Sequence, residues 1–270
     1  MRGTSSASLQ AVEDRFEPVL RAAGTQARTL GDELFQLVDA LDASGSLRRT
    51  LADPSLAPDA KADLAARLLA RADARTVEVV QALVRSRWSA DADLADAAER
   101  LAFRAVLHSA EAEGLLGTVE EELFIVVRAL AGQREVRRSL LDPAYPAQAR
   151  GTLAEGLLGG AGTAVTHAIV RRAAVAPRGR QFVTTLQHVG DLLAEMRNRQ
   201  VATVLTAAPL SAGQRERLTD LVGRALGRAV QLNVVVDPHV VGGLRVQAGA
   251  DVIDATVLAR LADARRQLAG

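Results

Sequence analysis

The feature that most constrains the fold of this chain is an internal duplication. The segment 32–69 reads DELFQLVDALDASGSLRRTLADPSLAPDAKADLAARLL, and the segment 121–158 reads EELFIVVRALAGQREVRRSLLDPAYPAQARGTLAEGLL. At an offset of 89 residues they share 16 identities in 38 positions, including one Arg-Arg-x-Leu-x-Asp-Pro motif. After a gap, the match continues with 83–85 and 169–171. Because this period is too long for a solenoid repeat, the duplication predicts two copies of a small domain.

Each copy is predicted to be a bundle of about five or six short helices. Apolar residues recur at spacings of three and four in both copies, as on one face of a helix. The Asp53-Pro54 and Asp142-Pro143 pairs end short helices, because the residue before proline avoids the α region. The long helix predicted over 91–113 serves as the last helix of copy one and the first helix of copy two.

The hydrophobic period changes after Asn198, where β-branched residues begin to alternate. The elements predicted there are a strand 201–206, a helix 214–226 capped by Ser211, strands 230–236 and 243–248, and a helix 256–268. The fold class is therefore mainly α with a small α/β C-terminal domain: two tandem short-helix bundles followed by a β-α-β-β-α domain. The predicted domains are 1–100 (first bundle), 101–197 (second bundle) and 198–270 (small α/β domain).

The composition argues against enzymatic chemistry. There are 33 basic and 32 acidic residues, for a net charge of +1, so no global field attracts nucleic acid. Cysteine is absent, which excludes disulfides and thiolate nucleophiles. The histidines His108, His167, His188 and His239 lack metal-ligand spacing, and Gly156–Gly162 lacks the Lys-Ser/Thr of a phosphate loop. No apolar stretch reaches the roughly 18 residues of a membrane span, so we expect a non-enzyme without cofactor, metal or membrane-spanning segment.

The C-terminal segment carries the most specific motif. It reads LNVVVDPHVVGGLRV from residue 232, and Gly249 and Val252-Ile253-Asp254 close it. This pattern resembles the C-terminal signature of the delta subunit of the bacterial F-type ATP synthase, which is related to the mitochondrial oligomycin-sensitivity-conferring protein (OSCP). The residues that match the signature are Val236, Asp237, Pro238, Gly242, Gly243, Gly249 and Asp254.

The resemblance covers residues 102–268, which make one chain of the usual family length. Copy two resembles the helical domain of the family, and copy one is then an extra copy, as in long actinobacterial-type members. Two positions depart from the family pattern. Neither copy cleanly shows the Tyr-Ala pair of the family's first helix, and Ala255-Thr256 stand where Gly-Ser is usual.

The resemblance implies a mechanical role in ATP synthesis and proton transport. Family members link the catalytic alpha/beta head to the b subunit of the peripheral stalk, and this stator keeps the head from turning with the rotor. The implied location is peripheral, at the cytoplasmic face of the bacterial plasma membrane, where the complex holds the chain. One alternative is a generic helical adaptor unrelated to ATP synthesis, and another is a small-molecule enzyme that uses the glycine-rich turns.

The resemblance also implies where partners bind. N-terminal segments of the alpha subunits lie in grooves between bundle helices, and the end of b contacts the small C-terminal domain. The candidate groove walls are Val106, Leu107, Ala110, Val165, Ile169 and Val170 in copy two, and Val80, Leu83 and Val84 in copy one. The same apolar residues also fit a role as bundle core. A basic cluster either meets an acidic partner or forms a solvated face: Arg171, Arg172, Arg178 and Arg180.

Overall fold

The computed structural model describes residues 3–142, 144–226, 231–237, 242–248 and 251–254. The chain forms two compact units, which span Met1–Gly190 and Asp191–Gly270. The helices are α1 (Gly3–Ala23), α2 (Ala27–Ala43), α3 (Gly45–Ala52), α4 (Pro58–Leu68), α5 (Ala74–Arg85), α6 (Asp91–Ala112), α7 (Leu116–Ala129), α8 (Arg134–Leu141), α9 (Ala147–Gly156), α10 (Ala164–Val175), α11 (Phe182–Gln200) and α12 (Ala212–Leu226). The strands are β1 (Val201–Thr206), β2 (Gln231–Val236), β3 (Leu244–Ala248) and β4 (Asp251–Asp254).

This architecture confirms the predicted fold class, mainly α with a small α/β C-terminal region. The short helices α3 and α8 end directly before Asp53 and Asp142, whose backbones are extended, with ψ of 117° and 114°. Helix α6 runs unbroken across the predicted boundary after residue 100, and both duplicated segments lie in the first unit. The division into three domains stays a prediction.

The two copies share one polar contact, which ties their second helix to the start of their fifth. In copy one, the Glu33 carboxylate accepts hydrogen bonds from the backbone N–H of Asp73, at 3.0 Å, and from Thr76 Oγ1. In copy two, Glu122 accepts from Thr166 Oγ1 and from the backbone N–H of the α10 N-cap residue, at 3.0 Å. The two glutamates are identical positions of the duplication, so the same side chain performs the same task twice.

This shared contact also shows which residues of the two fifth helices, α5 and α10, correspond to each other. Helices α5 and α10 both have 12 residues, and the threonine that contacts the glutamate is the third residue of each. Residues 79–80 therefore correspond to 169–170. The sequence pairing of 83–85 with 169–171 is wrong by four residues, about one helical turn. Apolar residues recur every three or four positions along such helices. The apolar pattern by itself therefore could not distinguish the correct alignment from one that is shifted by a turn.

Helix α6 lies at the centre of the first unit. It contacts α1, α2, α3 and α5 from copy one and α7 and α10 from copy two, so one helix serves both bundles as predicted. Its closest neighbour is α2, where Gly31 permits the approach: a Cβ there would lie 2.8 Å from Val106 Cγ2 and 2.9 Å from the Ala102 carbonyl oxygen. The helices of both copies therefore pack against α6.

The second unit contains a four-stranded sheet in the order β2-β1-β3-β4. Strands β1 and β2 are parallel, and β3 is antiparallel to both β1 and β4. Helix α12 connects the two parallel strands. The buried core of this unit contains one residue from each of β1, α12, β2 and β3: Val204, Val222, Leu232 and Val246.

Helix α12 begins with a capping box. Ser211 Oγ accepts a hydrogen bond from the Gln214 backbone N–H at 3.3 Å, and Gln214 Oε1 accepts one from the Ser211 N–H at 2.8 Å. This reciprocal pair satisfies two backbone donors that the helix itself leaves free. The predicted cap at Ser211 is therefore confirmed.

Strand β4 was not predicted. Four residues are too few to display a strand's alternation, and Asp251–Asp254 is recognised as a strand only because it pairs with β3. The observed order up to residue 254 is thus β-α-β-β-β. The helix predicted over 256–268 lies outside the described residues.

Candidate partner-binding site

All nine candidate groove residues are buried in the structure. Their side chains are at most 5% exposed, and they lie on the inward faces of α5, α6 and α10. The residues are Val80, Leu83, Val84, Val106, Leu107, Ala110, Val165, Ile169 and Val170. Burial is what the alternative role as bundle core predicts. Their binding role stays a prediction, and it needs an opening in the surface next to them.

One such opening lies where α2, α6 and α10 meet. It is a pocket of about 250 Å³. Of the nine candidates, Val106 and Ile169 contribute to its walls. The other lining residues are Arg28, Asp32, Phe35, Gln36, Asp39, Ala168, Arg171, Arg172 and Val175. Helix α2 of copy one therefore forms one side of the groove that the sequence predicted within copy two.

An aromatic ring and a cation form the inner wall of this pocket. The rings of Phe35 and Phe103 pack edge to face, with centroids 4.9 Å apart. The guanidinium carbon of Arg172 lies 4.5 Å from the centroid of the Phe35 ring, a cation–π contact. Arg172 Nη1 also pairs with an Asp39 carboxylate oxygen at 2.8 Å. Sequence reasoning missed Phe35 as a pocket residue, although its identity with Phe124 was visible in the duplication.

The predicted basic cluster pairs with acidic residues of this same chain. Arg178 contacts Asp42 of α2 at 2.7 Å, and Asp96 and Glu99 of α6 at 3.0 and 2.9 Å. Arg180 also pairs with Glu99. Burial lowers the pKa of the Arg178 guanidinium, but the hydrogen bond to Asp42 and the nearby carboxylates outweigh it, so the pKa lies above its ordinary value. These ion pairs link copy two to copy one.

A second ionic cluster lies between α1 and α6. Glu13 pairs with Arg100 at 2.7 Å and with Arg104 at 3.3 Å. Arg104 also pairs with Glu17, and His108 Nε2 lies 3.2 Å from the same carboxylate. Most of these side chains are nearly inaccessible to solvent, so the charges compensate one another inside the protein. The first helix of copy one is thereby tied to the helix that both copies share.

Two groups of this cluster have shifted pKa values. Burial raises the pKa of Glu17, but its hydrogen bond to His108 and the charges of His108 and Arg104 outweigh that effect, so the pKa lies far below its ordinary value. Burial lowers the pKa of His108, while hydrogen bonds to Glu111 and Glu17 outweigh it and leave the pKa raised. His108 therefore belongs to a buried polar network with Glu17 and Glu111.

The C-terminal signature residues lie around the sheet of the second unit. The Asp237 N–H donates to the Thr206 carbonyl oxygen at 2.9 Å, which extends the β1–β2 pairing. Gly243 has φ of 82°, the left-handed conformation expected of the glycine pair. Of the others, Val236 ends β2, Gly242 precedes Gly243, Asp254 ends β4, and Pro238 and Gly249 lie outside the described residues. The described members have structural tasks, and any contact with a partner stays a prediction.

These features define a class of protein, a helical module joined to a small α/β domain. Among the described residues, no three His, Asp or Glu side chains are grouped so that they could hold a metal ion. None of the described helices has the length and apolar character that crossing a membrane requires.

Known proteins similar to this chain specify the family. The family model described as ATP synthase delta (OSCP) subunit matches residues 97–268. The chain is 50% identical over 271 residues to ATP synthase subunit delta of Beutenbergia cavernae, which covers 100% of both chains. It is 43% identical over 269 residues to the Kineococcus radiotolerans subunit and 41% over 268 to that of Streptomyces avermitilis, each covering 99% of this chain and 98% of the relative. The chain therefore belongs to the ATP synthase delta (OSCP) subunit family.

The matched ranges also locate the extra copy. The family model begins at residue 97, close to residue 102, where the sequence resemblance starts. The three relatives match nearly the whole chain, including the part before residue 97. These relatives therefore share the segment that precedes the family match.

Proposed function

We propose that this chain is a non-catalytic stator subunit of an F-type ATP synthase. It links the catalytic alpha/beta head to the b subunit of the peripheral stalk and resists the torque of the rotor during proton-driven ATP synthesis. The observation that carries this proposal is similarity over the full chain to proteins named ATP synthase subunit delta, at 50% identity in Beutenbergia cavernae. The chain is peripheral, at the cytoplasmic face of the plasma membrane, where the complex holds it.

The internal ion pairs support a mechanical role. A link that transmits torque must not yield between its own parts. The bond from Arg178 to Glu99 joins copy two to α6, and the bond from Arg104 to Glu13 joins α6 to α1. Breaking a buried pair by removing one partner costs about 3–5 kcal/mol. Both connections therefore resist separation of the helices.

The proposed partners are the N-terminal segments of the alpha subunits and the C-terminal end of b. An amphipathic alpha segment inserts an apolar side chain into the pocket between α2, α6 and α10, whose lining includes Val106 and Ile169. A corresponding contact in copy one involves Val80, Leu83 and Val84. The end of b binds the small C-terminal domain, 198–270, and the bundles 1–100 and 101–197 face the head.

The first experiment is a binding titration with the full chain. The purified protein is mixed with the catalytic head isolated without this subunit and, separately, with the soluble part of b. Binding to both is expected, together with recovery of ATP-driven proton pumping when the chain and the head are added back to membranes that retain b and the proton channel. A folded chain that captures neither partner would overturn the proposal in favour of the generic adaptor.

The second experiment tests the pocket. Ala168 is half-buried at its edge, so Ala168→Trp fills the cavity without replacing a core residue. We expect a loss of affinity for an alpha N-terminal peptide of about tenfold or more, the equivalent of 1.4 kcal/mol. Gly190→Ala is the matched control, because nothing lies within 4 Å of its new Cβ. Unchanged peptide binding by a folded Ala168→Trp variant contradicts the pocket assignment.

Ile169→Asp gives a harsher version of this test. Ile169 is 1% exposed, so the variant places a carboxylate in the core as well as beside the pocket. Its folding must be followed by circular dichroism along with peptide binding. A variant that stays folded and still binds contradicts the role of Ile169, and the Ala168→Trp variant decides the matter if Ile169→Asp unfolds.

A further inference from the structure

The imidazole ring of His108 lies between two glutamate side chains inside the first unit. The side chain is 2% exposed. Its Nδ1 lies 2.7 Å from a carboxylate oxygen of Glu111, and its Nε2 lies 3.2 Å from a carboxylate oxygen of Glu17. Glu111 belongs to the same helix, α6, whereas Glu17 belongs to α1. One ring therefore contacts a carboxylate of its own helix and a carboxylate of a neighbouring helix.

The two contacts together fit a protonated ring. Ionised carboxylates only accept hydrogen bonds, and a neutral imidazole has one N–H to donate, whereas an imidazolium has two. When the proton leaves, one ring nitrogen turns a lone pair towards a carboxylate oxygen. Because the contact with Glu111 is shorter and lies within one helix, the remaining N–H stays with Glu111. The contact that is lost is the one with Glu17, which joins α6 to α1.

Helix α1 is weak at the same point. Pro18 directly follows Glu17 and lies inside the helix. Proline has no N–H, so the Asp14 carbonyl oxygen lacks the hydrogen bond that it would accept in a regular helix. The segment after this break, 18–23, therefore depends on side-chain contacts to stay in place. Glu17 supplies such contacts directly beside the break.

The other charged groups around this contact do not titrate in the same pH range. Arg104 pairs with both Glu13 and Glu17, and Arg21 contacts the second Glu17 oxygen at 2.6 Å. Arginine stays protonated in proteins. Helices α2, α3, α5, α7 and α10 also pack against α6, and the residues that they bury include no ionisable side chain. His108 is therefore the group near Glu17 whose charge changes around neutral pH.

We propose that His108 makes the attachment of the end of α1 to α6 dependent on pH. With the ring protonated, Glu17 has a charged contact with His108 in addition to those with Arg104 and Arg21, and residues 18–23 stay closed. Without the proton, that contact is lost beside Pro18 and the segment opens more often. The inference concerns the chain itself, so it stands or falls separately from the proposed function.

The direction of the effect follows from the environment of the ring. Burial lowers the pKa of His108, while the hydrogen bonds to Glu111 and Glu17 outweigh it and raise the pKa above its ordinary value. The contact is therefore complete below the ordinary histidine pKa of about 6.5 and is lost as the pH rises through the folded value. Opening of residues 18–23 should increase with pH.

The first measurement is an NMR titration of the His108 ring in the full chain. We expect a pKa above about 6.5 in the wild type. The variant Glu17→Gln keeps the size of the side chain and removes its charge, so the His108 pKa should be lower in this variant. A wild-type pKa at or below the ordinary value overturns the inference, and so does a pKa that Glu17→Gln leaves unchanged.

The second measurement is amide hydrogen exchange of the full chain, expressed as protection factors that remove the pH dependence of the chemical exchange rate. Between about pH 6 and pH 8.5, protection of residues 18–23 should fall about three- to tenfold, since one unit of pKa shift corresponds to a factor of ten. Protection of α4 should change by less than about twofold. His108→Gln should remove the pH dependence. The matched control His167→Gln should keep it, because His167 Nε2 contacts a backbone carbonyl oxygen.

Three results of the exchange experiment contradict the inference. The first is wild-type protection of residues 18–23 that does not fall as the pH rises. The second is a folded His108→Gln variant with the same pH dependence as the wild type. The third is an equal fall in α4, which would assign the effect to unfolding of the whole unit. If His108→Gln does not fold, the wild-type titration and the wild-type exchange profile decide between the outcomes.

Discussion

The two copies of the helical module differ in what they do with the same helix. In copy one, the second helix is covered by α6 and its phenylalanine is part of the core. In copy two, the second helix leaves the equivalent phenylalanine in solvent. Both copies keep the glutamate that holds the start of the fifth helix. Both copies thus keep the contact between the glutamate and the fifth helix. The phenylalanine of the second helix is buried in copy one and exposed to solvent in copy two.

The same residue at the same position of the duplication can therefore be buried in one copy and exposed in the other. Helix α6 packs along α2 and not along α7. It covers α2 at Gly31, and it serves copy two as its first helix instead. Substitutions in α2 and in its copy-two counterpart α7 test this difference.

The largest effect separates the two phenylalanines directly. Phe35→Ala should lower the free energy of unfolding by about 3–5 kcal/mol, because it removes a buried ring and leaves a cavity. Phe124→Ala should change it by less than about 1 kcal/mol, as for most exposed positions. Urea unfolding of both variants, followed by circular dichroism, gives the two values. Equal losses would mean that Phe124 is covered in the free protein.

The next effect concerns the close approach of α6 to α2. Gly31→Ala places a methyl group 2.8 Å from Val106 Cγ2 and should cost about 1–3 kcal/mol through overpacking. The control Gly190→Ala lies in a helix with open space around it, and it should stabilise the protein by about 0.5–1 kcal/mol. The two substitutions should shift the midpoint of urea unfolding in opposite directions, and this shift is the measurement. A neutral Gly31→Ala variant would show that the helices are not in tight contact.

A smaller and equal effect is expected at the position that the copies share. Glu33→Ala and Glu122→Ala each remove the acceptor for one backbone N–H and one threonine hydroxyl at the start of a helix. Each should lower the free energy of unfolding by about 1 kcal/mol, as the loss of a helix cap does. Thermal unfolding of the two single variants compares them. A clear difference between the two losses of stability would show that the two contacts are not equivalent.

The smallest effect is a gradual dependence on pH through His108. Its folded-state pKa is raised, so its contribution to stability is complete below the unfolded value of about 6.5 and is lost as pH rises through the folded value. The free energy of unfolding of the wild type minus that of His108→Gln should therefore fall as the pH rises above about 6.5. A difference that stays constant or grows with pH contradicts the assigned contacts with Glu17 and Glu111.

The candidate site was predictable from the sequence only in part. The resemblance at 236–254 pointed to the family, and the matches to known delta subunits agree with it. Val106 and Ile169 were named as groove residues and do line a pocket. Phe35 was not named, because its role depends on α2 lying beside α10, a contact between helices more than 100 residues apart in sequence. Arg178 was read as an external cation for the same reason, since its acidic partners lie on α2 and α6.

The sequence by itself determined the local elements. Apolar periodicity, the Asp-Pro pairs and the Ser211 cap act within a few residues, so they predict helices, their ends and the change to strands after Asn198. Tertiary structure alone decided which faces are covered. Strand β4 exists through pairing with β3, and α6 buries Phe35 while Phe124 stays exposed. These outcomes depend on which distant segments meet, and the apolar pattern along one helix does not reveal its neighbours.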